Sequence, residues 1–219
     1  MEAHAVVVEY DTGRYPFARI LAAEVFQVAR LDQMHVAWRR RLGHDELTYA
    51  DNLSLRRRMQ RLPDDATFYK LYHAWITSVV APRYGGRISY SAHPKMRVHL
   101  AGTGSVSDFH TDAAVTGRTD QINCYLPFTD VHDTCTVWSE SRYGTGDYAP
   151  LNLSYGQALL WDGGQLRHGT YPNLTSSTRV SCDFRFHALL PARVRSPWRD
   201  VLAGRPADFS SDSDERTKE

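Results

Sequence analysis

The spacing of apolar residues changes once along the chain, and this change constrains the fold more than any other feature of the sequence. Before Tyr84-Gly85-Gly86 the apolar residues recur every three to five positions, as on one buried face of a helix. After it they alternate with polar residues, as in residues 96–100, which is the pattern of a strand that buries one face. The first half therefore predicts helices, and the second half predicts a succession of short strands.

One strand, residues 5–10, precedes three predicted helices, which begin near Pro16, His44 and Pro63. The predicted strands of the second half, separated by clusters of Gly, Pro, Asn and Asp, are residues 96–100, 122–128, 136–139, 158–161 and 179–186. No helical pattern lies between them, which disfavours a parallel sheet. We therefore expect a mainly β protein with N-terminal helices, in which an antiparallel sandwich or jelly roll carries the helices.

The length of the chain suits one domain. Its 219 residues, 42% of them hydrophobic, are enough for one core, and no repeat or linker divides them. We expect a single domain over residues 1–209, with the helical half 1–86 packed on a β core of residues 87–192. Residues 210–219 have no apolar side chain and are predicted to be a disordered tail.

Composition argues against two classes of partner. The 26 Lys and Arg nearly balance the 25 Asp and Glu, so no bulk charge attracts the chain to nucleic acid. No apolar run approaches the roughly 18 residues that span a bilayer, so no membrane is expected either. Cys124, Cys135 and Cys182 are odd in number, have no CxxC spacing and follow no leader, which predicts a reduced, cytoplasmic protein.

Two histidines and an aspartate form the first chemically informative set. If the segment around His110 is extended, His110 and Asp112 project from the same face and could bind one cation. His168, which follows the turn-like residues 161–164, could add a third ligand from a later strand. Two imidazoles and one carboxylate leave three positions open on an octahedral Fe(II) ion, which permits oxygen chemistry.

An arginine and a serine form the second set. Arg179 and Ser181 face the same side of the strand after His168 and present a planar fork and a hydroxyl that suit a carboxylate. Arg185 shares that face. At ~3.3 Å per residue, however, it lies about 20 Å from Arg179, too far to share one ligand carboxylate.

These segments together resemble the Fe(II)/2-oxoglutarate-dependent oxygenases. The resemblance is to the phytanoyl-CoA-hydroxylase-like branch, and within it to oxygenases of antibiotic gene clusters related to the streptomycin-cluster protein and to the orthosomycin and hygromycin cyclising enzymes. It covers about residues 96–186, and its matching segments are residues 109–112, 122–127, 161–164, 168–170 and 178–185.

The resemblance implies a double-stranded β-helix, the jelly-roll core of cupin-like proteins, and assigns roles to eight residues. Fe(II) is held by His110, Asp112 and His168, with O₂ as a further reactant. The distal carboxylate of the cosubstrate 2-oxoglutarate is bound by Arg179, with Ser181 and Thr170 adding hydroxyls. The pocket is lined by a strand that carries Asn123 and Tyr125.

The implied activity is that of a dioxygenase, an oxidoreductase of antibiotic biosynthesis, which hydroxylates its substrate or closes an oxidative ring such as an orthoester. We expect a small-molecule substrate, a sugar or aminocyclitol glycoside, because the residues near the motif are polar or aromatic: Arg97, His99, Asp108, Asp120 and Trp138. Acidic residues near the motif, which also include Glu140 and Asp147, could pair with ammonium groups.

Two other functions stay open at this point. A metal-dependent, cupin-like lyase or isomerase would keep the metal and not use 2-oxoglutarate. A non-catalytic jelly-roll module would bind a sugar with the same polar residues, and it would leave Arg179 and Ser181 unexplained.

Overall fold

The computed structural model describes residues 5–189, so the predicted tail 210–219 lies outside the described residues. As predicted, helices fill the first half and strands the second. The helices are α1 (Phe17–Ile20), α2 (Met34–Leu42), α3 (Tyr49–Gln60), α4 (Thr67–Trp75) and α5 (Asp112–Thr116). The strands are β1 (Ala5–Glu9), β2 (Ile88–Tyr90), β3 (Lys95–His99), β4 (Ile122–Pro127), β5 (Trp138–Ser139), β6 (Ala149–Pro150), β7 (Gln157–Trp161), β8 (His168–Gly169) and β9 (Arg179–Ala188).

The three predicted helices are present with altered ends. The first runs through α1 and continues as a wider π turn to Phe26, where Gln27 adopts a left-handed φ of 56° and ends it. The second begins later than predicted, because the Asp51 carboxylate accepts the backbone N–H of Thr48 and fixes the start of α3 there. The third continues past α4 through a π turn and a 3₁₀ turn to Tyr84. Helix α2 was not predicted.

Two antiparallel sheets are present. The larger has the strand order β1-β7-β4-β9-β2, with β3 also paired to β9, and the smaller has the order β6-β5-β8. Strand β9 is ten residues long, so β3 and β2 pair with its two ends on one side while β4 pairs with it on the other. The predicted antiparallel pairing is confirmed.

The larger sheet has one apolar face and one polar face, because successive side chains of a strand point to opposite sides. Val180, Cys182 and Phe184 are buried on the apolar face, and the ring of Phe184 lies 6.3 Å from that of Trp75 at the end of α4. Such burial stabilises the fold by roughly 2 kcal/mol for each large apolar side chain. The alternate residues of β9 point to the opposite face.

A second, smaller core lies on the polar side of the larger sheet. Its buried residues are Tyr125, Val131, Cys135, Leu153, Leu159, Trp161 and Leu166. The core joins strands β4 and β7 to the loops that carry the smaller sheet, and the site described below lies next to it. Among residues 5–189 no helix combines the length and the apolar character that crossing a membrane would require.

Candidate active site

His110 and His168 lie side by side although they are far apart in the chain. The backbone N–H of each donates to the carbonyl of the other at 2.9 Å, and this antiparallel bridge brings their rings to 4.7 Å between centroids. Asp112 completes the group, and one ligand atom from each of the three residues lies within 4.8 Å of the others. The structure thus brings together the predicted metal set.

Asp112 reaches this group from a helix, which corrects the assumption of a continuous extended segment. The extended backbone ends at Thr111, whose hydroxyl accepts the N–H of Ala114 and caps α5, so that Asp112 is the first helical residue. Its backbone N–H donates to the carbonyl of Gly163 at 3.0 Å. The glycine-rich turn therefore holds Asp112, whose Oδ1 lies 3.6 Å from Nε2 of His110.

Backbone carbonyls fix the tautomers of both histidines. Nδ1 of His110 lies 2.7 Å from the carbonyl oxygen of Asp108, and Nδ1 of His168 lies 2.9 Å from that of Leu166. A carbonyl only accepts, so Nδ1 carries the proton of the neutral ring and Nε2 keeps its lone pair. Burial also lowers the pKa of His168 and favours its neutral form. This donor set fits a divalent metal ion.

The Asp112 carboxylate is held at both oxygens. Arg185 donates from Nη2 to Oδ1 at 2.6 Å and from Nε to Oδ2 at 2.7 Å, and Nδ2 of Asn123 donates to Oδ2 at 2.5 Å. Burial raises the pKa of Asp112, but the interactions with His110, Arg185 and Asn123 outweigh it and hold that pKa well below its usual range. Asp112 is therefore ionised near neutral pH.

Arg179 and Ser181 present hydrogen-bonding atoms that no residue of the described chain satisfies. Arg179 is 1% exposed, yet its Nε and Nη1 have no partner, and neither does Oγ of the buried Ser181. Unpaired polar atoms are rare in protein interiors because they are costly. The arrangement fits an anion such as a carboxylate, which accepts from a guanidinium fork and a hydroxyl at once.

His99, directly opposite Arg179 in the sheet, is neutral. Burial and then the charge of Arg179 lower the pKa of His99 to about 3. Its Nε2 donates to the carbonyl of Gly104 at 3.0 Å. His99 therefore adds no second positive charge beside Arg179.

One cavity joins the metal set to these residues. Its lining includes His110, Asp112, His168, Arg179, Ser181, Thr170, Asn123, Tyr125 and Arg97. Six further lining residues were not among the predicted site residues: Lys95, Asp183, Ser107, Val137, Trp161 and Gly169. Two of them could have been predicted from the alternation of side chains along a strand. Lys95 lies on the same face of β3 as Arg97, and Asp183 lies on the same face of β9 as Ser181. Thr170 lines the cavity, but its hydroxyl already accepts the backbone N–H groups of Val106 and Ser107.

Four residues predicted to meet the substrate lie outside this lining, and one of them is His99, described above. Asp108 is exposed and contributes only its carbonyl, to His110. Asp120 is exposed and pairs with Arg118 at 2.9 Å. The indole of Trp138 donates to a backbone carbonyl, that of Asp133.

Two further acidic residues near the motif have structural partners. The Glu140 carboxylate accepts backbone N–H groups of Gly144, Gly146 and Arg167, and the Asp147 carboxylate accepts the hydroxyl of Ser141. These interactions occupy the carboxylates that the sequence suggested for ammonium groups.

Comparison with known proteins finds one relative in sequence and several structures that are similar in fold. No protein-family model matches the chain. The chain is 30% identical to the streptomycin biosynthesis protein StrG of Streptomyces griseus over 92 residues, which are 42% of this chain and 43% of StrG, so the match spans less than half of that relative.

Two solved structures are similar in fold. The non-heme monooxygenase ThoJ, solved as a nickel complex, is 16% identical with a TM-score of 0.55, over 85% of this chain and 74% of ThoJ. EctD from S. alaskensis, solved with 2-oxoglutarate and 5-hydroxyectoine, is 12% identical with a TM-score of 0.56, over 86% of this chain and 73% of EctD. The resemblance found in the sequence is thus confirmed in the fold, which this chain shares with non-heme oxygenases.

Proposed function

We propose that this chain is an Fe(II)/2-oxoglutarate-dependent oxygenase, in which His110, Asp112 and His168 hold the metal and Arg179 with Ser181 binds the distal carboxylate of 2-oxoglutarate. One observation carries the proposal. The unpartnered N–H groups of Arg179 and the hydroxyl of Ser181 line the same cavity as His110, Asp112 and His168. The Nδ1 atoms of the two histidines face backbone carbonyls, which leaves their Nε2 lone pairs for a metal. When bound, Fe(II), 2-oxoglutarate and O₂ supply the oxidising power that removes hydrogen from a substrate carbon.

The protein's own residues bind and orient in this scheme. Arg179 would set the direction of the cosubstrate, because its planar guanidinium donates to a carboxylate along fixed directions. Arg185 and Asn123 fix the orientation of the Asp112 carboxylate. His99 stays neutral and adds no second charge beside Arg179.

The architecture proposed for this function is a double-stranded β-helix. The two sheets would form its two faces, with the metal set at their seam and the N-terminal helices on the outer face of the larger sheet. The whole unit would be one domain over residues 1–209. The antiparallel order of the sheets and the similarity in fold to ThoJ and EctD support this arrangement.

The proposed substrate class is a sugar or aminocyclitol-containing natural product of antibiotic biosynthesis, which is hydroxylated or closed into an oxidative ring. The partial match to StrG supports the biosynthetic setting. The cavity supports a polar substrate, since charged and hydrogen-bonding side chains dominate its lining.

Anaerobic titration of 2-oxoglutarate into the Fe(II)-loaded protein tests the proposal. We expect a weak visible charge-transfer band that saturates with one equivalent of 2-oxoglutarate. A protein that binds the metal and shows no such band would instead fit a cupin-like lyase or isomerase. A protein that binds neither the metal nor 2-oxoglutarate would fit a sugar-binding module.

A further inference from the structure

Three cations surround one carboxylate at the edge of the cavity. Lys95 and Arg97 lie on the same face of β3, and Nε of Arg97 donates to Oδ1 of Asp183 at 2.9 Å. Helix α3 packs across β3, and its Arg56 lines a small cavity together with Arg97 and Tyr49. We call Lys95, Arg97 and Arg56 the cationic rim.

Most of the hydrogen-bonding capacity of this rim is unused. Within residues 5–189, Arg97 makes its one hydrogen bond through Nε, and neither Lys95 nor Arg56 makes any through its side chain. Nε of Arg56 is buried without a partner. Asp183 balances one of the three positive charges, so the rim carries an excess of two.

The positive charges of the rim repel one another. Burial and then the charge of Arg97 lower the pKa of Arg56, and the same two causes act on Lys95, where the charge of Asp183 opposes them. Like charges that affect one another are unfavourable unless anions lie near them, and Asp183 supplies one negative charge for three cations. The rim therefore has the charge distribution of an anion-binding site.

The rim adjoins the pocket proposed for 2-oxoglutarate at Arg97 and extends away from it towards Lys95. The sheet register places Arg97 opposite Ser181 and Lys95 opposite Asp183, whereas Arg179 lies opposite His99. Lys95 is thus four residues along β3 from His99, or about 13 Å at 3.3 Å per residue. Lys95 and Arg97 still line the cavity that holds the metal set. A molecule that reaches the metal from this side would meet the rim first.

We propose that the substrate carries a phosphate monoester and that Lys95, Arg97 and Arg56 bind it. This inference rests on the proposed function, whose substrate class it narrows to a phosphorylated sugar or cyclitol. A phosphate monoester carries a charge of about −1.5 to −2 at pH 7, which matches the excess on the rim. A guanidinium fork binds two phosphate oxygens at once, and an ammonium adds a point charge.

Isothermal titration of the metal-free protein tests the rim without any turnover. The probe is myo-inositol 1-phosphate, with myo-inositol as its uncharged match and glucuronate as a carboxylate of similar size. We expect binding of the phosphate ester and none of myo-inositol. Arg56→Gln and Lys95→Gln leave the pair between Arg97 and Asp183 intact, and each should weaken binding about tenfold, as expected for one charged hydrogen bond. Arg118→Gln, an exposed cation outside the cavity, should leave the affinity unchanged.

Three results would overturn the inference. Equal affinity in Arg56→Gln, Lys95→Gln and the unaltered protein would exclude the rim. If Arg179→Gln lost binding of the phosphate ester while the rim variants kept it, the probe would occupy the cosubstrate pocket. Tighter binding of glucuronate than of myo-inositol 1-phosphate would mean that the rim recognises a carboxylate and not a phosphate ester. Failure of the proposed function would look different. The charge-transfer band with 2-oxoglutarate would be missing, while the rim would still bind the phosphate ester.

Discussion

Arg185 donates hydrogen bonds to both carboxylate oxygens of Asp112, at 2.6 and 2.7 Å, although 73 residues separate the two in the chain. The Asp112 side chain is 7% exposed, and that of Arg185 is 21% exposed. A carboxylate buried to this degree needs a positive partner. Arg185 is that partner within the protein, and a divalent metal ion beside His110 and His168 would be a second one.

Arg185→Gln should therefore destabilise the metal-free protein by about 3 kcal/mol, because it leaves a buried carboxylate without its cation. Added Mn(II) should raise the Tm of this variant more than that of the unaltered protein, since the metal restores the missing charge. Thermal unfolding followed by circular dichroism, with and without Mn(II), measures both effects. An equal metal-induced shift in the two proteins would contradict the role given to Arg185.

His168→Ala should weaken binding of Co(II) or Mn(II) at least a hundredfold, because it removes one of three protein ligands and the open geometry they create. Calorimetric titration with Co(II) measures the affinity. The matched control is His132→Ala, which removes an exposed histidine that pairs with Asp133 outside the metal set. A comparable loss of Co(II) affinity in the two variants would contradict the assignment of His168 as a metal ligand.

Arg179→Lys should raise the Kd for 2-oxoglutarate by about two orders of magnitude, although it conserves the charge. An ammonium cannot reproduce the two parallel N–H groups of the fork, and two charged hydrogen bonds are worth about 3 kcal/mol. Anaerobic titration of the Fe(II) protein, read from its charge-transfer band, gives the constant. An unchanged Kd would place the carboxylate elsewhere, with Arg97 as the next candidate.

Gly169→Ala should destabilise the protein by about 1–3 kcal/mol through overpacking. A Cβ at this position would lie 2.9 Å from the backbone Cα of Phe109, next to the bridge between His110 and His168. Gly104→Ala is the matched control, because a Cβ there meets no atom within 4 Å. Urea unfolding of the two variants measures their free energies of unfolding. Equal values would mean that the Phe109 segment moves away from the added Cβ without loss of stability.

Acidification should destabilise the protein in part through His99. Its pKa of about 3 in the folded state lies below the value near 6.5 of an unfolded chain, so the stability it contributes is complete above pH 6.5 and is lost as the pH falls towards 3. The loss should reach about 2 kcal/mol at pH 5. His99→Gln should flatten the profile of unfolding free energy between pH 6.5 and 4.5, whereas His132→Gln should not. Parallel profiles for the unaltered protein and His99→Gln would mean that the pKa of His99 is the same in the folded and unfolded states.

The strands around the site could be predicted because each is a short apolar or alternating run bounded by turn-forming residues, although β4 is buried along its whole length. Strands β4, β7 and β9 all fall within predicted segments to within two residues. Strand β8 has two residues, too few to show a period, yet it carries His168. Helix α2 was missed because it buries only Met34, His35 and Trp38, and its last turn is a run of arginines.

The site could be predicted where residues share a strand, and not where the fold joins distant segments. Arg179 and Ser181 needed only the alternation of β9. The role of Arg185 could not be obtained in this way, because its partner Asp112 begins a short helix that a glycine-rich turn holds in place. Arg56 lies in the cationic rim because α3 packs on β3. No local pattern of the sequence predicts that packing, so the role of Arg56 could not be predicted.

If the unsatisfied nitrogens of Arg179 bind an anionic metabolite, as proposed, the folding of this chain depends on the concentration of that metabolite. An anion that fills them binds the folded state and not the unfolded one, so it stabilises the fold by RT ln(1 + [L]/Kd), about 2.7 kcal/mol at a hundredfold excess over Kd. That is a sizeable fraction of the 5–15 kcal/mol that holds a typical domain together. A cell with little of this anion would therefore hold less of the folded enzyme, since more of the chain would be exposed to proteolysis.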